Sequence, residues 1–315
     1  MTIVTGMAMA TTIATATTMA ARASQMARAR AEAGKTMGDS LYGFLSFLYE
    51  PLFMRRAAVA LFLLSIASGG TGVLVVSRRM AFFPDAAGHT IFGGLALGLI
   101  FSLPIDATVL VFGVLIGLTI IYLLRHSDLA SDTVIGLVFS GGVALGLALA
   151  SRYPSSQSNL TRYLLGDVLT VDERGLLLLL ILAILSVVFF AVFYNRLMLS
   201  SIAPANYGGD AVSEYLFGGF MAVVVVIAVQ AVGVLLVTAL LIAPAAAGRM
   251  LARSGRGMFW TAMAISVVSG QAGLFLANRP SIDTTPGATV VFISIGFCAL
   301  AVALKKARGA FKKFF

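Results

Sequence analysis

The sequence predicts an all-α integral membrane protein, a polytopic helical bundle of about eight or nine transmembrane helices. Three observations carry this prediction. Hydrophobic residues make up 59% of the 315-residue chain and charged residues only 11%, against about 25% charged in a soluble domain. The apolar residues fall in long blocks: Ala57 to Val76 and Leu176 to Tyr194 contain no charge, and a helix needs about 20 such residues to cross the hydrocarbon layer. Glycine is abundant, at 32 residues, as expected where helices pack closely in lipid.

In chain order, residues 1–40 stand apart. Met1 to Gly38 is rich in Ala, Thr and Met and carries Arg22, Arg28, Arg30 and Lys35. An unstructured extension or a misplaced start is expected there, with a transit-like or signal-like segment as the alternative. The membrane domain is expected over 41–315, and Leu41 to Met54, apolar and aromatic, is expected along the interface. Spans are then predicted at Ala57–Val76, Phe82–Phe101, Ala107–Leu124, Val134–Ala150 and Leu176–Phe193. A long block, Tyr215–Met250, follows, and then Phe259–Ala277 and Ala288–Leu304. The block is either one tilted helix or two that reverse near Val232-Gly233.

Charge parity separates these two. The net charge is +9, and in a membrane protein basic residues gather in cytoplasmic loops. The tail Lys305, Lys306, Arg308, Lys312 and Lys313 fixes the C-terminus inside. Arg249, Arg253 and Arg256 are then inside too. Two spans in the block also bring Arg196, Arg125 and Arg78-Arg79 inside, whereas one span inverts them all. The two-span version, nine spans in total, satisfies more loops and leaves Arg55-Arg56 outside. The one cysteine, Cys298, lies in an apolar run and excludes a disulfide within the chain.

Ionisable residues inside spans are costly and usually functional. The clearest pair is Asp85 and His89, in Asp85-Ala-Ala-Gly-His89. Their i, i+4 spacing puts both on one helical face. Carboxylate and imidazole suit borderline divalent cations such as Zn²⁺ or Mn²⁺. Two ligands leave a shell to be completed by water, another helix or a second copy, and ligation requires a neutral imidazole. The competing reading is an Asp–His hydrogen bond capping a helix start after Pro84. His126, beside Arg125, reads as a solvated loop residue. No Gly-x-x-x-x-Gly-Lys-Ser/Thr motif occurs, so this chain does not itself hydrolyse ATP, and no catalytic triad or Cys-His cluster points to a membrane-embedded enzyme.

Three further segments are unusual for lipid-facing helix. Asp132 opens a span, where an acid can serve the exposed amides of a helix start. Tyr163 to Thr170 is a short apolar loop segment containing Asp167. Val232 to Arg249 contains Pro244, which removes a backbone donor and tends to kink a helix.

Together these segments resemble one family, the ABC-3 permeases of ABC importers for zinc, manganese and iron. The family pattern begins Asp-x-x-Ser-His-x-x-x-Pro-Gly, matched here by Asp85 and His89. It continues with Asp132 to Ser140, Ala144-Leu145-Gly146, Leu165-Gly166-Asp167-Val168-Leu169, Val232 to Ala247, and Asp283 with Gly287. Gly88 stands where the pattern has Ser, and Gly93 where it has Pro. The loop Ala203 to Asp210 lacks the usual acidic and Ala-rich pattern.

The resemblance implies a fold similar to the vitamin B12-type importer permeases, in a multi-pass protein of the cell membrane. It implies two cytoplasmic ATPase subunits, an extracytoplasmic substrate-binding lipoprotein and a second permease, as a homodimer or close heterodimer. It implies a transported Zn, Mn or Fe ion, with no permanently bound cofactor, and Asp85 and His89 as its ligands. The ATPase-coupling surface is implied at Pro204, Gly208, Gly209 and Asp210, with Arg249. The competing readings are a permease for a chelated metal, haem or another small cargo, a secondary transporter or channel, and a scaffold with no transport role.

Overall fold

Where a chain crosses a bilayer, every backbone N–H and C=O must be satisfied without water, and a helix does this within one segment. The computed structural model describes residues 52–151, 168–202, 211–278 and 284–314. Among them are ten α-helices and no strand: α1 (Leu52–Ser77), α2 (Phe83–His89), α3 (Ile91–Ile100), α4 (Ile105–His126), α5 (Ser131–Ala150), α6 (Glu173–Ile202), α7 (Ala211–Val232), α8 (Val234–Leu251), α9 (Gly255–Ala277) and α10 (Pro286–Phe314). Eight of them, all except α2 and α3, are long and apolar enough to cross a membrane. The expected extension over 1–40 and its boundary lie outside the described residues. So do Leu165-Gly166-Asp167 and Asp283. Val168–Thr170 forms a single 3-10 turn.

One predicted span is corrected. Phe82–Phe101 is not one helix but two, α2 and α3, broken at Thr90. At the break the buried Thr90 hydroxyl donates to Ala87 O at 2.8 Å, and Gly93 N–H donates to Thr90 O, only three residues back. Together α2 and α3 still make one traverse. Met80, just before α2, lines a cavity with Ile121 and Leu124 near the end of α4, while Gly98 of α3 packs against Ile105 and Thr108 at its start.

Side-chain contacts fix the directions of the other helices. Arg56 pairs with Glu173 at one end of α1 and α6, and Arg78 donates to Ser200 and Ser201 at the other, so these helices run parallel. The second end is rich in arginine. α4 finishes there and α7 begins there, joined by Arg125 and Glu214. α8 finishes there too, with Arg249 Nη1 donating to Val76 O at 3.0 Å. α7 and α8 are therefore two passes in opposite directions, as the charge parity predicts. A single residue reverses the chain between them. Gly233 has φ 89° and ψ 157°, a conformation essentially closed to residues with a Cβ. Pro244 lies inside α8, which continues past it to Leu251.

Two sets of helices pack together: α1 with α6, α8 and α9, the last two also on α10; and α2, α3, α4, α5 and α7; α6 and α7 join the sets directly, Phe189 stacking on Phe220 with ring centroids 3.7 Å apart. Polar side chains join α1 to α9. Ser65 donates to Ser266 O at 3.1 Å, Ser68 and Ser266 hydroxyls meet at 3.4 Å, and Gln271 reaches Ala58 O at 3.0 Å. Small and hydroxylated residues at a helix crossing are the usual means of association in lipid. On the outside, α6 presents Leu177, Ile181, Ile184, Val188 and Val192, all exposed, a stripe suited to acyl chains.

Candidate functional site

The seam between the two groups runs past α2, and α2 carries the predicted pair. Pro84 sits at the helix start, where its missing N–H costs nothing. Asp85 follows in the first turn and His89 is the last residue of α2. One turn apart, both side chains are half-buried. The small residues Ala86, Ala87 and Gly88 fill the opposite, buried face. Gly88 lies against the start of α8: a Cβ there would come within 2.7 Å of Val234 Cγ2. That contact disfavours any larger side chain at this position. The ring of His89 meets Phe139 of α5 edge-on, with centroids 5.5 Å apart.

The competing reading, a capping hydrogen bond, is not what the structure has. Phe82 occupies the N-cap position without a side-chain cap, and among the described residues no hydrogen bond joins Asp85 to His89. Asp132 likewise lies in the first turn of α5 without a side-chain cap at Ala130, so its charge alone complements the helix start. Among the described residues no group of three or more His, Cys, Asp or Glu converges. Asp85 and His89 thus bring one carboxylate and one imidazole to one face of α2. His126, read as a solvated loop residue, is exposed as expected but is the last residue of α4, stacked on Tyr122 with Nδ1 2.8 Å from Tyr122 O.

Of the predicted coupling residues, Pro204, Gly208, Gly209 and Asp210 lie outside the described residues. Ile202 and Ala211, which flank them, end α6 and begin α7 at the arginine-rich end. Arg249 is at that end as well.

Sequence reasoning treated Arg78 and Arg125 only as loop charges and missed what they do there. Arg78 donates through Nε to Ser201 Oγ (3.2 Å) and through Nη2 to Ser200 Oγ (2.8 Å), with its guanidinium carbon 4.4 Å from the centroid of the Phe217 ring. Burial pushes its pKa down, opposed by the nearby Glu214 carboxylate. Arg78, Ser200, Ser201 and Glu214, with Arg79, Met80 and Arg125, line a cavity of about 470 Å³. The one available signal was Glu214, an acid opening a long apolar block.

A family model described as the ABC 3 transport family matches residues 50–305. The chain belongs to that family. Among relatives, it is 30% identical over 255 residues to the manganese import system permease protein ScaB of Streptococcus gordonii, covering 80% of this chain and 91% of that protein. It is 30% identical over 267 residues to the manganese transport system membrane protein MntC of Listeria innocua, covering 84% and 95%. To the high-affinity zinc uptake system membrane protein ZnuB of Haemophilus influenzae it is 27% identical over 251 residues, covering 78% and 95%. Among solved structures, PsaBC from Streptococcus pneumoniae in complex with Fab superposes with a TM-score of 0.67 at 27% identity, covering 83% of this chain and 95% of that one. The fold of this ABC 3 chain is thus that of an ABC importer permease, a multi-pass membrane protein.

Proposed function

We propose that this chain is the membrane-spanning permease subunit of an ABC importer and passes a divalent metal ion, Mn²⁺, Zn²⁺ or Fe²⁺, through the cell membrane. The observation that carries the reading is the Asp85–His89 pair: an acid and an imidazole on one face of a broken helix, at the seam of an ABC 3 family bundle. Such a pair holds an ion weakly, as a pathway site must if it is to release what it accepts. Two ligands per chain become four across a pair of copies, so a second permease completes the shell. Relatives named for manganese and zinc transport support the cargo class.

The basic residues Arg78, Arg79, Arg125, Arg249, Lys305 and Lys306 gather at one end, which is the cytoplasmic one by the positive-inside rule. Residues 203–210 and Arg249 then meet the ATPase subunits, and an extracytoplasmic binding protein delivers the ion at the opposite end. Uptake of radioactive Mn²⁺ and Zn²⁺ into vesicles holding the complete complex tests the metal reading. Transport at the wild-type rate by the double variant His89→Ala, Asp85→Asn would leave the pair a packing feature and remove the metal assignment.

A further inference from the structure

α5 lies along the break between α2 and α3 and meets it once per turn. The half-buried Phe139 faces His89, the last residue of α2; their rings meet edge to face, with centroids 5.5 Å apart and planes at 83°. One turn on, Gly142 faces Thr90, where a Cβ at 142 would come within 2.4 Å of Thr90 Cγ2. One turn further, Gly146 faces the first turn of α3, where its Cβ would lie 2.7 Å from Phe92 Cβ and 3.0 Å from Gly93 N. Residues three and four apart share a helix face. Positions 139, 142 and 146 therefore form one stripe, laid against residues 89–93.

Thr90 ties this stripe to α2. Its hydroxyl is committed to Ala87 O, and its methyl group lies toward Gly142. On the other side of α2, Gly88 is backed by Val229 and Val234, on either side of the turn at Gly233. The end of α2 is wedged between α5 and that turn. Glycine at 142 and 146 lets the α5 backbone approach closely, as small residues do at helix contacts in lipid, and the approach brings the Phe139 ring onto His89.

The imidazole has need of that ring. A histidine that ligates a metal ordinarily donates its other ring N–H to a carboxylate or carbonyl, which fixes its orientation. Among the described residues no side chain or carbonyl hydrogen-bonds the His89 ring, and its ring contact is with Phe139. We propose that Phe139 takes the place of the missing hydrogen bond: it is a positioning residue that holds the His89 ring in one orientation before the ion arrives, and so sets how tightly the pair binds a divalent cation. The proposal rests on the reading of Asp85 and His89 as ligands. Phe139 itself touches no ion and acts through His89.

The chain has two histidines, His89 and His126. In full-length permease isotopically labelled at histidine, the His126→Gln background leaves one imidazole, and its nuclear magnetic resonance signal reports on His89 as Zn²⁺ is titrated. Added to this background, Phe139→Leu raises the Zn²⁺ midpoint by about two- to ten-fold, the scale set by an aromatic pair. Phe139→Tyr keeps the ring and keeps the parent midpoint. Phe292→Leu, the same change at a position 74% exposed on α10, also keeps it. Without metal, the His89 ring signal moves in Phe139→Leu and not in Phe292→Leu, because the ring current of Phe139 is lost. An unchanged midpoint in Phe139→Leu overturns the proposal, and so does an equal rise in Phe292→Leu or in Phe139→Tyr. If Zn²⁺ leaves the His89 signal of the parent protein unmoved, the ligand reading fails instead, and the positioning role falls with it.

Discussion

Asp85 and His89 differ in what their loss removes. On the proposed metal reading, alanine at 89 removes the imidazole of the pair and should abolish metal uptake while leaving membrane insertion and assembly intact. Asparagine at 85 keeps an oxygen but loses the charge, and uptake should weaken without vanishing. Initial rates of radioactive Mn²⁺ entry distinguish the two, and equal loss in both would contradict this division of roles. Gly88 makes a steric prediction. Serine at this position places its Cβ against Val234, at a cost of about 1–3 kcal/mol for overpacking. Thermal unfolding of purified protein should show a lowered midpoint for Gly88→Ser, and Val234→Ala should recover it. The pair itself was legible in the sequence, because i, i+4 spacing of two ligand types needs only local geometry. The Arg78, Ser200, Glu214 and Phe217 cluster was not, because its members come from distant segments that only the fold brings together.

At the level of elements, the legible part was the set of spans. Seven predicted segments, and the two halves of Tyr215–Met250, correspond to observed helices or, for Phe82–Phe101, to a helix pair. Lipid leaves the backbone little choice, so apolar length alone locates them. The break at Thr90 was hidden, since Ile91 onward is as apolar as a continuous helix. The turn at Gly233 was visible as an ambiguity, and charge settled it. Its backbone makes a clear prediction. Gly233→Ala should destabilise the protein by about 1–3 kcal/mol, the cost of forcing a Cβ into this region of φ and ψ. An unchanged thermal midpoint for that variant would mean that α7 and α8 can meet in another way.

For the whole molecule, the direction of insertion follows from the placement of charge. Cysteines replacing Arg79 and Arg253, both exposed at the arginine-rich end, should react with a membrane-impermeant maleimide only after the cells are opened. A cysteine replacing Glu173, exposed at the opposite end, should react in intact cells. The reverse pattern would invert the importer reading, placing segment 203–210 where no ATPase can reach it.

The single-residue turn at Gly233 has a mechanical corollary. It leaves no slack between α7 and α8, so at that end the two helices cannot separate and any change of angle between them turns on Gly233. The 22 residues of α7 make a lever arm of about 33 Å, at 1.5 Å per residue. A tilt of about 10° at the fulcrum would swing the far tip by roughly 6 Å, close to one helical pitch. Arg78 and Glu214 stand at that tip, where the leverage against a fulcrum at Gly233 is greatest.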